Sequence, residues 1–170
     1  VFAVGDVVGH GLGAASWMAQ LRHALRAYLV EGHGPAVSLD LLNRFAEASP
    51  SSQPATVLVG ELRPDDGRIL FARAGHPPPI VAGREMAIAE MSPDPPLGTV
   101  ARHEHTLADV TLRSGELLVV YTDGLVERRG TDLDDQILDL EKGRVVRGGR
   151  RSGADGRAVR ASDHVSGASG

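Results

Sequence analysis

The amino-acid sequence predicts an α+β domain, and three observations predict it. An apolar segment at residues 2–4 has the composition of a strand and runs into an acid and glycines. Apolar residues then recur at the spacing of one helix face over residues 14–30 and again after Pro35. Beyond residue 54, short β-branched and apolar segments alternate with turn residues, as in an antiparallel sheet built from hairpins.

Length and composition are those of a single domain. The chain has 170 residues, 42% of them hydrophobic, and a net charge of -4. This mild negative charge argues against nucleic acid as the main partner. The absence of Cys excludes disulfides, thiolate zinc sites and a cysteine nucleophile, and we expect a cytoplasmic location. No apolar run is long enough to span a bilayer, so we expect no membrane insertion.

The first predicted strand, residues 2–4, is expected to be fully buried and to deliver an acid at its end. Gly5 and Gly9 permit a tight turn, and the helical pattern begins near Gly13. Asp6 therefore lies where a rigid element stops, a position that suits a ligand of a hard divalent cation. From these residues alone, an Asx-type turn between strand and helix is the alternative. A chain that opens on such a strand would expose an apolar sheet edge, so we also expect that its start is missing.

Two helices and a series of strands are predicted after the first strand. Glycines and Pro35 separate the helices, which we expect to lie antiparallel. A proline and a glycine in residues 64–67 predict a hairpin turn, and prolines place the short strands after residue 79 at a sheet edge. The remaining predicted elements are helix 14–30, a helix from Pro35, strands 55–62 and 68–73, short edge strands 80–82 and 86–89, strands 105–112 and 116–122, and one short helix within residues 133–141.

A second acid follows an apolar strand in the same way, near the end of the strand series. Residues 117–122 run directly into Asp123 and Gly124. Two buried strands that both end in Asp can pair side by side, which would bring Asp6 and Asp123 to one cation or to a two-cation site. The two carboxylates are therefore predicted metal ligands.

Three motifs carry a resemblance to a known family. GDVVGHG at residues 5–11, AGHPPP at 74–79 and YTDGLVE at 121–127 closely resemble the SpoIIE/RsbU-type branch of the PPM (PP2C-like) serine/threonine phosphatases. The resemblance implies an incomplete four-layer αββα sandwich, in which two mainly antiparallel sheets are flanked by helix pairs. It also implies two Mn²⁺ or Mg²⁺ ions and hydrolysis of phosphoserine or phosphothreonine on a partner protein, such as a phosphorylated anti-sigma-factor antagonist in bacterial signalling. An upstream sensor domain in the full-length protein fits the same resemblance.

The resemblance also assigns roles to individual residues. Asp6 would bridge the two metals, the backbone carbonyl of Val7 would join the second metal and Asp123 the first. His10, in a Gly-His-Gly turn, is either a general acid that protonates the leaving serine oxygen or a residue that only stabilises its loop. The three prolines after His76 favour a structural role for that histidine.

The resemblance divides the chain into residues 1–142, a partial phosphatase domain, and residues 143–170. The second part is rich in Gly, Arg, Ala and Ser without any period, and we predict a disordered tail that does not belong to the family. A C-terminal strand with consecutive acids, which supplies a further metal ligand in the family, has no counterpart in it. The alternative function is therefore a catalytically impaired phosphatase-fold domain that binds a partner without turnover.

Overall fold

The computed structural model describes residues 1–83, 86–122 and 158–160. In these residues the chain forms two helices and two four-stranded sheets, and every strand pair is antiparallel. In chain order the elements are β1 (Phe2–Val7), α1 (Gly11–Val30), α2 (Pro35–Ala48), β2 (Ala55–Arg63), β3 (Arg68–Ala74), β4 (Ile80–Ala82), β5 (Met86–Ile88), β6 (Ala108–Thr111), β7 (Leu117–Val119) and β8 (Ala158–Arg160).

The first sheet has the strand order β1-β2-β3-β6. The predicted hairpin joins β2 to β3, and Gly67 takes the positive φ of 68° that its turn requires. β1 pairs along its whole length with β2, from Phe2 opposite Gly60 to Val7 opposite Ala55. Among the described residues β1 therefore has a partner on one side only and forms an edge of this sheet.

Both helices cover one face of the first sheet. Pro35 begins α2, as its fixed φ favours, and the short connection from α1 brings α2 back beside the first helix. Trp17 is buried between the helices and the sheet, stacks on Phe45 at 5.7 Å and donates from Nε1 to the carbonyl of Gln53 at 2.9 Å. Neither helix is long and apolar enough to cross a membrane, and no other helix lies in the described ranges.

The second sheet, with the order β5-β4-β7-β8, covers the opposite face of the first. Leu118 and Val120, in and just after β7, belong to one buried cluster with Leu58 of β2 and Phe71 of β3. The described residues thus form three layers: helices, sheet and sheet. The predicted α+β class with two antiparallel sheets is confirmed, while the predicted helix within residues 133–141 lies outside the described residues.

Several elements differ from their prediction. β1 is not fully buried, because it forms a sheet edge: Phe2 and Val4 are half-buried and Ala3 is exposed. β4 is an interior strand between β5 and β7, so the prolines before it mark the turn into the strand and not a sheet edge. β1 and β7 do not pair side by side, since they belong to different sheets and face each other across the buried cluster.

The C-terminal part contains one strand that the sequence analysis did not predict. Residues 158–160 form β8 and pair with β7, with Val159 opposite Leu118. The prediction of a disordered tail is wrong at these residues, because a strand of only three residues can extend an existing ladder. The division of the chain at residue 142 stays a prediction, as the rest of the tail lies outside the described residues.

Candidate metal centre and active site

Asp6 lies next to the end of β1, on the face that looks toward the second sheet. It stands opposite Thr56 of β2, and opposite residues of an antiparallel pair share a face. Two and four residues earlier, Val4 and Phe2 pack in the cluster between the sheets, so Asp6 continues the same alternation at its rim. The side chain is exposed, and its Oδ1 accepts a hydrogen bond from the Val7 N–H at 2.9 Å.

The carbonyl of Val7 lies on the same side of β1 as this hydrogen bond. Ala55, opposite Val7, uses its own N–H and carbonyl to bond Leu97, at 3.3 and 2.9 Å. The main-chain groups of Ala55 therefore point away from Val7, and those of Val7 point to the outer edge of β1. Because the N–H and C=O of one strand residue point the same way, the Asp6 carboxylate and the Val7 carbonyl present two oxygen donors at one edge.

The turn after β1 directs the chain into α1. The Val8 N–H donates to the carbonyl of Pro54 at 3.0 Å, and Gly9 and Gly11 have positive φ values of 110° and 83°. His10 is the N-cap residue of α1, which is why the helix begins three residues earlier than the predicted residue 14. Its side chain is exposed and makes no capping hydrogen bond. The imidazole therefore faces solvent just after the end of β1, the strand that carries Asp6.

His76 is buried behind this strand end. Its Nδ1 lies 3.2 Å from Oγ1 of Thr56, the residue opposite Asp6, and only 1% of the residue is exposed. Gly75 before it has a φ of 64°, and a Cβ at this glycine would approach Pro96 to 2.5 Å. The burial agrees with the structural role predicted for His76. Thr56 was missed by sequence reasoning, since a threonine inside a strand pattern carries no further signal.

The proline-rich segment before Gly98 contains a buried acid that the sequence analysis left without a role. Asp94 accepts hydrogen bonds from the Thr106 N–H at 2.7 Å and from His103 Nε2 at 3.0 Å. Burial alone would raise the pKa of Asp94, but these two hydrogen bonds and the charges of His103 and His105 hold it below its usual range. The Asp94 carbonyl in turn accepts from the Gly75 N–H at 2.7 Å, so this network supports the His76 loop.

Two further polar residues, Arg73 and Tyr121, lie close enough together for each to affect the pKa of the other. Burial raises the pKa of Tyr121 to about 12, against the opposing effect of the nearby Arg73 charge. Burial likewise lowers the pKa of Arg73, which is partly offset by Asp94 and Tyr121. Arg73 faces the second sheet because it stands opposite Leu58, a member of the cluster between the sheets.

The second predicted ligand, Asp123, lies outside the described residues, so its approach to Asp6 stays a prediction. Its predecessor Thr122 and Gly5, the predecessor of Asp6, line one cavity of about 870 Å³. Within residues 1–83 and 86–122, no three His, Cys, Asp or Glu side chains are close enough together to hold a metal ion. Of the predicted ligands, the described residues contain Asp6 and Val7, and their metal-binding role stays a prediction.

Comparisons with known proteins identify the family. A family model described as Stage II sporulation protein E (SpoIIE) matches residues 1–161. The chain is 26% identical over 143 residues to the phosphoserine phosphatase RsbU of Bacillus subtilis, covering 82% of this chain and 43% of that protein. It is 25% identical over 155 residues to protein IcfG of Synechocystis, covering 74% of this chain and 24% of that protein.

Comparisons with solved structures agree with these matches. The RsbU and RsbW domains of a Mycobacterium tuberculosis protein match with a TM-score of 0.74 and 35% identity, over 82% of this chain and 40% of that one. The PP2C phosphatase domain of SpoIIE from Bacillus subtilis matches in fold, with a TM-score of 0.68 and 18% identity, over 86% of this chain and 43% of that one. The chain spans less than half the length of each of these proteins. The chain therefore belongs to the Stage II sporulation protein E (SpoIIE) family.

Proposed function

We propose that this chain is the catalytic part of a metal-dependent protein serine/threonine phosphatase, which hydrolyses phosphoserine or phosphothreonine on a partner protein. The observation that carries the proposal is the pair of oxygen donors at the end of β1, the Asp6 carboxylate and the Val7 carbonyl, in a chain of the SpoIIE family. Carboxylate and main-chain carbonyl oxygens are ligands that hard divalent cations take from proteins.

The proposed cofactor is a pair of Mn²⁺ or Mg²⁺ ions. Carboxylate and carbonyl oxygens are the ligands that these ions prefer, so the residues at the end of β1 fit them chemically. When bound, two such ions neutralise phosphoryl charge and lower the pKa of a shared water from about 15.7 towards about 7. Since the described residues hold no cluster of three ligating side chains, further carboxylates must come from elsewhere in the chain, and we propose Asp123 as one.

The chain's own residues supply position and proton transfer. Asp6 and Val7 belong to a fully paired ladder with β2, so the backbone that carries both donors is fixed before any ion binds. His10 is exposed at the start of α1 without a capping hydrogen bond, and its imidazole is available to protonate the leaving serine oxygen. We therefore propose His10 as the general acid.

The proposed substrate is an exposed phosphorylated segment of another protein. Asp6 and His10 lie at the surface, and the neighbouring Val8 and Leu12 expose 63% and 91% of their area, so the site is open to a protein loop. One relative is named a phosphoserine phosphatase, and one similar structure is described as part of the bacterial stressosome. These names favour a phosphoprotein partner in a signalling pathway. From the family resemblance we propose a phosphorylated anti-sigma-factor antagonist as this partner, a cytoplasmic location and an upstream sensor domain in the full-length protein.

A second candidate function is a phosphatase-fold domain that binds its partner without turnover. The observation that favours it is the lack of a three-carboxylate cluster within the described residues. Two divalent cations carry four positive charges, and two carboxylates neutralise only half of that charge. A site with Asp6 and Asp123 alone would hold one of the ions weakly.

The two functions are separated by a manganese titration of phosphatase activity on p-nitrophenyl phosphate and on a phosphoserine peptide. The wild-type chain is expected to show manganese-dependent turnover, and Asp6→Asn to lower it by about 100-fold or more, since each ion contributes several kcal/mol to the transition state.

The matched control is Asp65→Asn, which changes an exposed aspartate in the hairpin between β2 and β3 and should leave turnover unchanged. Absence of turnover in the wild type, with phosphoprotein binding intact, would favour the binding domain. Turnover that persists in Asp6→Asn would contradict the assignment of this residue.

A further inference from the structure

Arg73 faces the space between the sheets, and neither the fold nor the proposed reaction has explained its charge so far. It lies near the end of β3, opposite Leu58 of β2, and is half-buried. A strand position between a buried alanine on either side would ordinarily carry an apolar residue or a solvated charge. Burial of a guanidinium is unfavourable unless its N–H groups are satisfied, so its hydrogen bonds indicate what it does.

The guanidinium of Arg73 donates to three main-chain carbonyls. Nη1 donates to His76 at 2.8 Å, Nε to Ser92 at 2.8 Å and Nη2 to Met91 at 3.4 Å. His76 follows β3, whereas Met91 and Ser92 follow β5, so one side chain joins two loops that are distant in sequence. Only a planar group with several donors can make these bonds at once, and a lysine ammonium cannot reproduce their geometry.

The loop that Arg73 holds reaches the strand of the proposed metal ligand. The His76 carbonyl is bonded to Arg73, while the His76 ring lies 3.2 Å from Oγ1 of Thr56. Thr56 is the direct cross-strand partner of Asp6. A continuous series of contacts therefore runs from the guanidinium through the histidine and the threonine to the strand end that carries the carboxylate.

A second set of contacts fixes the other side of the same loop. The Gly75 N–H donates to the carbonyl of Asp94 at 2.7 Å, and its α-carbon packs so closely on Pro96 that no Cβ fits. The loop around His76 thus has little freedom to shift as long as the Met91–Ser92 segment stays in place. Arg73 forms hydrogen bonds both with the His76 loop and with the Met91–Ser92 segment.

We propose that Arg73 is a positioning residue of this phosphatase domain, which acts through His76 and Thr56 to set the placement of Asp6 relative to the other metal ligands. The proposal rests on the proposed function, because it concerns the same metal centre. It differs from a role in stability alone by a specific expectation: loss of Arg73 alters the environment of His76 and weakens metal binding even while the protein stays folded.

The experiment compares Arg73→Met and Arg73→Lys with the wild-type chain. The control is Arg68→Met, at the other end of β3, where an exposed arginine pairs with Asp109 at 3.0 Å on the surface. Three quantities are measured: the ¹⁵N signals of the His76 ring in metal-free protein, assigned with a His76→Gln variant; the Kd for Mn²⁺ from the free-ion signal in electron paramagnetic resonance; and kcat and KM with p-nitrophenyl phosphate.

For Arg73→Met we expect shifted His76 signals, a Kd for Mn²⁺ raised about 10- to 100-fold and a lower kcat, as for loss of other groups that orient metal ligands. The KM should stay within about twofold, because Arg73 bonds to main-chain carbonyls and not to substrate. Arg73→Lys should fall between the methionine variant and the wild type, and Arg68→Met should match the wild type in all three measurements.

A folded Arg73→Met protein with wild-type His76 signals and wild-type Mn²⁺ affinity would overturn the proposal. If Arg73→Met does not fold, the same comparison is decided by Arg73→Lys, which keeps the charge. If the wild type itself neither binds Mn²⁺ nor turns over substrate, the proposed function fails. In that case the His76 signals still decide whether Arg73 positions the loop.

Discussion

At the scale of single residues, the two side chains nearest to the proposed chemistry differ from the rest of the site in being exposed. Asp6 and His10 face solvent, whereas His76 and Tyr121 are buried. Exposed side chains can be exchanged without loss of packing. Their substitution therefore reports on chemistry, whereas substitution of the buried residues also reports on stability.

His10→Gln tests the general acid. For a phosphoserine peptide, whose leaving oxygen needs a proton, we expect kcat to fall by about 100-fold or more. For p-nitrophenyl phosphate, whose leaving group departs without a proton, the fall should be much smaller. His23→Gln, an exposed histidine on α1 with its ring at the carbonyl of Ala19, is the control and should change neither rate. Equal loss on both substrates would argue for a role in loop structure instead.

At the scale of elements, the segment between β5 and β6 has no regular structure and yet supports the site. Asp94 ties it together, because it bonds the N–H of Thr106 and the ring of His103 with its carboxylate. Asp40 of α2 fixes the same segment from the other side, through the N–H of His105 at 2.7 Å and its ring at 2.8 Å. Carboxylates thus replace the ladder hydrogen bonds that a strand would provide.

Asp94→Asn should lower the free energy of unfolding at pH 7 by about 1–3 kcal/mol, since charge-assisted hydrogen bonds from a buried site are lost. The folded-state pKa of Asp94 is depressed, with His103, His105 and Arg73 as the charged groups facing it. Its stabilisation is therefore complete above the unfolded pKa of about 3.9 and disappears as pH falls through the folded value. Urea unfolding at several pH values should show the two proteins converging in acid. A pH-independent difference would contradict this account.

The control for that series is Asp109→Asn. Asp109 also has a lowered pKa, through its hydrogen bond with Arg68, but the pair is exposed and screened by solvent. We expect little difference from the wild type at any pH.

Gly75→Ala tests whether the His76 loop has room to adjust. The alanine would need a positive φ and would place Cβ 2.5 Å from Pro96, so we expect a loss of several kcal/mol in unfolding free energy. Gly115→Ala also needs a positive φ but meets no atom within 4 Å, and should cost only about 1 kcal/mol. Thermal or urea unfolding of both variants separates the steric effect from the backbone effect. Equal losses would mean that the loop moves away from Pro96.

At the scale of the whole molecule, one sheet is shared between two apolar layers. Its helix side holds Trp17, Leu39 and Leu42, and its other side holds Leu58 and Phe71 against the second sheet. β1 and β7 meet across this second layer, and the residues just before Asp6 and Asp123 line one cavity. We therefore expect the proposed site to depend on how the sheets pack, because Asp6 lies in a strand of one sheet and Asp123 follows a strand of the other.

A double-mutant cycle tests whether the two carboxylates converge. Asp6→Asn and Asp123→Asn should each raise the Kd for Mn²⁺ about 10- to 100-fold. In the double variant the increase in Kd should be smaller than the product of the two single increases, because both carboxylates bind at one centre. Isothermal titration of the four proteins gives the coupling. Strictly additive effects, within about 0.5 kcal/mol, would place the carboxylates at independent sites.

Much of the fold could be predicted from the sequence where apolar residues recur with the period of a helix or a strand. The helical spacing gave α1 and α2, and the turn residues around Gly67 gave the β2–β3 hairpin. The position of Asp6 at a strand end also followed from the glycines beside it. Which strands are neighbours could not be predicted, since pairing depends on tertiary contacts, and so β4 was wrongly placed at an edge.

The support of the site was harder to predict than its ligands. Arg73 alternates with buried alanines and has the pattern of a solvated charge, while Asp94 lies among prolines without any period. Many of their partners are main-chain groups. Every residue has a main-chain carbonyl, so the residue type does not show which carbonyl accepts a hydrogen bond. Such contacts become visible only in three dimensions.

Of the described strands, β8 is the last that the ribosome synthesises, so its pairing with β7 forms late. Both helices and the whole first sheet are encoded before residues 158–160, so they can fold while β7 still has a single neighbour. A premature stop or a proteolytic cut between β7 and β8 would give a product whose first sheet is complete and whose second sheet has an unpaired edge. Such an edge is a template for aggregation. Chaperones and proteases should therefore bind or degrade these truncated chains more readily than full-length chains with substitutions in loops.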